Sequence, residues 1–71
     1  MRRRSLGFRM ALAPGQVWCG LGVHRRIEKV VPEMVCFRRG HAKAPPEYST
    51  HGAFRAWINA TRAHLLKDQQ P

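Results

Sequence analysis

Two copies of one spacing, Cys19-x4-His24 and Cys36-x4-His41, provide thiol and imidazole groups of the kind a structural zinc takes. A metal would add folding free energy to a chain too short for a large core. Zinc sites, however, normally draw cysteines from knuckles of shorter Cys–Cys spacing, and an unmetallated thiol packs as a small hydrophobe. Cys19, His24, Cys36 and His41 are therefore a secondary candidate set for structural zinc, and no cofactor is the leading expectation. The two remaining histidines, His51 and His64, fall near the ends of an expected helix. There a neutral ring assists the cap and a charged ring suits the negative end of the dipole. No nucleophile stands beside a base, and Gly20-Leu21-Gly22 lacks the third glycine and the strand-to-helix context of a phosphate loop. The chain reads as a non-enzyme.

Charge is the stronger signal. Ten Arg and three Lys face only Glu28, Glu33, Glu47 and Asp68, for a formal net charge of +9. A GC-rich genome also enriches Arg, along with the Ala, Gly and Pro found here. Residues 1–40 hold nine cations against two anions, so a binding face should lie in the first half. The doublets Arg25-Arg26 and Arg38-Arg39, on adjacent strands of one expected hairpin, would place two guanidinium groups on each face of the sheet. Lys29 extends the patch, as would His24 and His41, and Arg2, Arg3, Arg4 and Arg9 form an arm able to follow a phosphate backbone. Planar guanidinium forks match phosphate oxygens and guanine edges, so nucleic acid, DNA or RNA, is the expected partner. The alternative is a protein-binding module, such as a mobile-element inhibitor, that sets the same basic face against an acidic surface of a host protein. Trp18 and Tyr48 could stack on unpaired bases, although a chain with six aromatics needs Trp18 in its core.

Seventy-one residues make one domain, and an apolar fraction of 44% is ordinary for a folded one. No apolar run is long enough to span a membrane. Arg9 and Pro14 interrupt what would have to be the apolar stretch of a secretory signal. Two cysteines make no disulfide framework, so a cytoplasmic location is expected.

The elements that must hold these residues follow from punctuation and periodicity. Residues 1–13 read as a flexible basic arm that ends at the turn-forming Pro14-Gly15; residues 14–67 form the domain and 68–71 a frayed tail. Gln16 to Cys19 is a short strand bounded by Gly20 and Gly22. Val23 to Val31 fits either period, and its β-branched residues and Pro32 tip it to strand. Pro32-Glu33 turns the chain into the return strand Met34 to Arg39, with Val35 and Phe37 on one side and Met34, Cys36 and Arg38 on the other. Glu47-Tyr48 offers a short edge strand. Ser49 or Thr50 caps a helix whose stripe is Phe54, Trp57, Ile58, Thr61 and Leu65, with Lys67 near its negative end. The fold class is α+β: a small curled antiparallel sheet or SH3-like barrel of three to four strands, with one C-terminal α-helix.

Pro14-Gly15-Gln16-Val17-Trp18, the strand ending Ile27-Glu28-Lys29-Val30, Val35-Cys36-Phe37-Arg38-Arg39, and Ser49-Thr50 ahead of Phe54-x-x-Trp57 together resemble small uncharacterised proteins of bacteriophages and other mobile elements. The similarity covers about residues 14–60 and brings no activity to any residue. It implies a setting in which small proteins bind nucleic acid or block a host protein.

Overall fold

The computed structural model describes residues 11–40 and 43–68. Along the chain run β1 (Val17–Gly20), β2 (Val23–Val30), β3 (Val35–Arg39), β4 (Glu47–Ser49), α1 (His51–Thr61) and β5 (His64–Lys67). The fold is α+β: all five strands join one antiparallel sheet in the order β4-β3-β2-β1-β5. Of the expected curled sheet or SH3-like barrel of three to four strands, the antiparallel sheet with its helix is found, but it has five strands and is not closed. β4 and β5 are free edges, and α1 takes the chain from one edge to the other, covering one face of the sheet.

Local chemistry sets each junction. Leu21 and Gly22 both have positive φ, 52° and 79°, as a two-residue hairpin loop matched to strand twist requires. Pro32-Glu33 makes the second hairpin, closed by the Val31 amide donating to the Met34 carbonyl at 3.0 Å. Between Ile27 and Lys29 the β2–β3 register slips by one residue, leaving Glu28 as the extra residue of a bulge. Thr50 caps α1, its hydroxyl accepting from the Ala53 amide at 3.0 Å.

The C-terminal end of α1 departs from expectation. A helix reaching Leu65 and Lys67 is replaced by one that stops at Thr61, followed by Arg62 in the left-handed conformation (φ 53°, ψ 43°) and then β5. Arg62 donates to the Asn59 carbonyl and Ala63 to the Ile58 carbonyl, closing the last turn. Residues 64–67 then satisfy the outer edge of β1, whose backbone groups a longer helix would have left unpaired. Leu65 is half-buried against the core from a strand. Gly20 makes this docking possible, because a Cβ there would collide with the side chain of Thr61.

The core joins Trp18, Ile27, Val35 and Phe37 from the sheet to Phe54 and Ile58 from α1. Leu12 belongs to it too, so the chain enters the fold ahead of Pro14, within the segment assigned to a flexible arm. Gln16, the buried polar residue among them, is satisfied by its neighbours. Its amide oxygen accepts from Trp18 Nε1 at 3.1 Å and the Ala13 amide at 3.2 Å, while its nitrogen donates to the Ala11 carbonyl at 3.1 Å. The same nitrogen reaches Asp68 Oδ1 at 3.4 Å, tying both ends of the described chain to β1. His51 Nε2 stands 2.7 Å from the Val31 carbonyl oxygen and links the start of α1 to the second hairpin.

Candidate nucleic-acid interface

Strand alternation divides the basic residues between two environments. Arg25 pairs with Arg39 and with Trp18, whereas Arg26 pairs with Arg38 and with Val17. Trp18 lies in the core under α1, so Arg25 and Arg39 occupy the helix-covered side and Arg26 and Arg38 the open one.

Arg25 is absorbed by the interior. Its guanidinium carbon lies 4.2 Å from the centre of the Trp57 ring, 4.5 Å from that of Phe37 and 5.5 Å from that of Phe54. Burial, with repulsion from Arg39 second, lowers its pKa below the usual arginine value, and Glu47 acts in the opposite sense. Its Nε is buried without a hydrogen-bond partner. Arg39 is engaged by Glu47 at 2.8 Å.

The open face carries Arg26, Lys29, Arg38 and Lys67. One cross-strand row runs Arg38, Arg26, Val17 and Lys67 over β3, β2, β1 and β5. A second places Tyr48 beside Cys36 and Cys36 beside Lys29. A third holds His24, Cys19 and His64. Glu28 is the counter-charge here: one of its carboxylate oxygens lies 3.6 Å from Arg26 Nε and 3.8 Å from Arg38 Nε, and all three side chains are about one-third exposed. Arg38 also donates through Nη1 to the Ala44 carbonyl. A concavity of about 310 Å³ opens between β2 and β5, lined by Gly15, Val17, Arg26, Ile27, Glu28 and Lys67.

Tyr48 is 64% exposed at the β4 edge of this face. Its phenol pKa is raised chiefly by the hydrogen bond to the Cys36 side chain, then by the charge of Cys36 and by burial, with Arg38 pulling the other way. Trp18, the other candidate for stacking, is a core residue at 1% exposure.

Among the described residues of the sequence-derived metal set, Cys19, His24 and Cys36 are not grouped. Cys19 and His24 are direct cross-strand partners, but Cys36 lies on β3 opposite Lys29, three positions along from the row of Arg39. Among the described residues no three His, Cys, Asp or Glu side chains are grouped to hold a metal ion. His41 and the arm residues Arg2, Arg3, Arg4 and Arg9 lie outside the described residues. Lys67 and His64 were missed as members of the face because their strand was read as helix. The exclusion of Arg25 has a visible signal, since it sits two residues before Ile27 and so shares the buried side of β2. No described helix is long and apolar enough to cross a membrane. No family model, curated protein or solved structure matches the chain.

Proposed function

We propose that this chain is a non-enzymatic nucleic-acid-binding domain that uses the open face of its sheet. Arg26, Arg38, Lys29 and Lys67 contact phosphates, and Arg2, Arg3, Arg4 and Arg9 add sequence-independent affinity as an arm. The observation that carries the reading is the cross-strand row Arg38-Arg26-Val17-Lys67 on the side that α1 leaves uncovered. Glu28 does not cancel it. One carboxylate shared by two guanidinium groups leaves a net positive site, and partly exposed ion pairs contribute only about 0–1 kcal/mol, so a phosphate can displace them. The basic face would also suit an acidic protein surface, but an exposed aromatic ring beside the cations favours nucleic acid. A cytoplasmic setting and a mobile-element origin belong to the same proposal.

The test is a titration of a labelled oligonucleotide at 50 and 200 mM salt. With the four contacts of the face alone the affinity should fall roughly 50-fold for a single strand and roughly 150-fold for a duplex between the two, and more steeply where the arm also engages. Absence of binding at the lower salt contradicts the proposal.

A further inference from the structure

We infer that the ligand of this face is an unpaired strand of nucleic acid, with one base stacked on Tyr48; the inference rests on the nucleic-acid reading and narrows it. Two features separate a single strand from a duplex. The first is the shape of what is presented. A major groove is about 12 Å wide and admits a helix or a two-stranded ribbon, whereas the charged surface here lies across a five-stranded sheet, whose strands stand about 4.8 Å apart. The helix does not offer a substitute. Its exposed positions are Gly52, Ala53, Ala56, Asn59 and Ala60; its one arginine, Arg55, is half-buried and already engaged, and Arg62 stands alone at the C-cap, so no row of cations forms along it.

The second feature is Tyr48. It is the direct cross-strand neighbour of Cys36 on β3 and is 64% exposed. Cys36 and Arg38 are two residues apart on one strand, roughly 6–7 Å, so Tyr48 adjoins the guanidinium row. An exposed ring beside phosphate-binding cations gains nothing from a duplex, whose base faces are already stacked. With an unpaired strand it gains a base–aromatic contact, and every base has a face to offer. The path runs from Tyr48 past Arg38 and Arg26 to the concavity floored by Val17 and flanked by Lys67.

DNA and RNA share this chemistry, so the experiment carries both. Labelled 12-nucleotide single strands of mixed sequence, as DNA and as RNA, and the two corresponding duplexes are titrated with the full chain and with Tyr48→Leu and Tyr48→Phe at one salt concentration. At least one single strand should bind tenfold or more tighter than either duplex, and whichever does so identifies the sugar preferred. Tyr48→Leu should weaken that strand by about 5- to 100-fold. Tyr48→Phe, which keeps the ring, should stay within threefold. Circular dichroism of both variants checks the fold, which an exposed edge residue does not sustain. Equal or tighter duplex binding, or a Tyr48→Leu variant that binds as the parent does, overturns the single-strand assignment and leaves nucleic-acid binding standing. Failure of all four ligands to bind overturns both.

Discussion

The guanidinium carbon of Arg25 stands 4.2 Å from the centre of the Trp57 ring, joining β2 to α1 through a cation held against an aromatic face. Phe37 and Phe54 complete the aromatic surroundings, and the two phenyl rings meet edge-on at 5.3 Å. One of the residues most suggestive of ligand binding is thereby a structural contact, while Arg26, its immediate neighbour, faces the open side.

Arg25→Ala should cost about 2 kcal/mol in urea unfolding, the scale of a partly desolvated cation–π contact with its packing. Arg25→Met should retain most of the stability, because an unbranched thioether fills the slot between rings and removes the unpartnered buried Nε. Neither change should weaken oligonucleotide binding as much as Arg26→Ala. A larger loss for Arg25→Met than for Arg26→Ala would show that Arg25 reaches the ligand.

Gln16→Leu preserves volume but strands the Trp18 indole N–H and the Ala13 amide, both of which donate to the Gln16 side chain. Each lost partner in a buried setting costs about 1–3 kcal/mol, so a loss of about 2–6 kcal/mol is expected. Hydrogen exchange at Ala13 should accelerate as well, since this side chain holds residues 11 and 13 to β1. Unchanged exchange there would contradict the role assigned to the amide.

Tyr48 is the only tyrosine, so its phenolate absorbance can be titrated without overlap from another phenol. The midpoint should lie above the ordinary value near 10, because the hydrogen bond to Cys36 favours the protonated phenol. Cys36→Ala should bring it down towards that value. A raised folded-state pKa means the contribution to stability is complete below the ordinary tyrosine pKa and disappears as pH climbs through the folded one. A midpoint unaffected by Cys36→Ala would remove the hydroxyl–thiol contact from the account.

Much of the sheet was readable because its signals are local. The second hairpin follows from Pro32-Glu33 and the alternation of Val35, Cys36, Phe37 and Arg38, and the Thr50 cap follows from residue type ahead of an apolar stripe. That alternation also required the doublets to split between faces, which the pairing of Arg25 with Arg39 and Arg26 with Arg38 realises. The end of α1 was not readable, since Leu65 fits the helical stripe and packs equally against the core from β5. What decides between them is the unpaired edge of β1, a partner 47 residues earlier in sequence for the Trp18–Leu65 pair. The absence of closure has the same origin, because the strand that extends β1 is the one periodicity hid.

Whether ligand meets the open face of the sheet is decided by backbone amide chemical shifts of isotope-labelled protein titrated with a single-stranded oligonucleotide. Perturbations should concentrate at Val17, Arg26, Lys29, Arg38, Tyr48 and Lys67, with the amides of Ala53, Ala56 and Ala60 nearly still. Perturbations confined to α1, or none at oligonucleotide concentrations well above the protein, would contradict binding at this face.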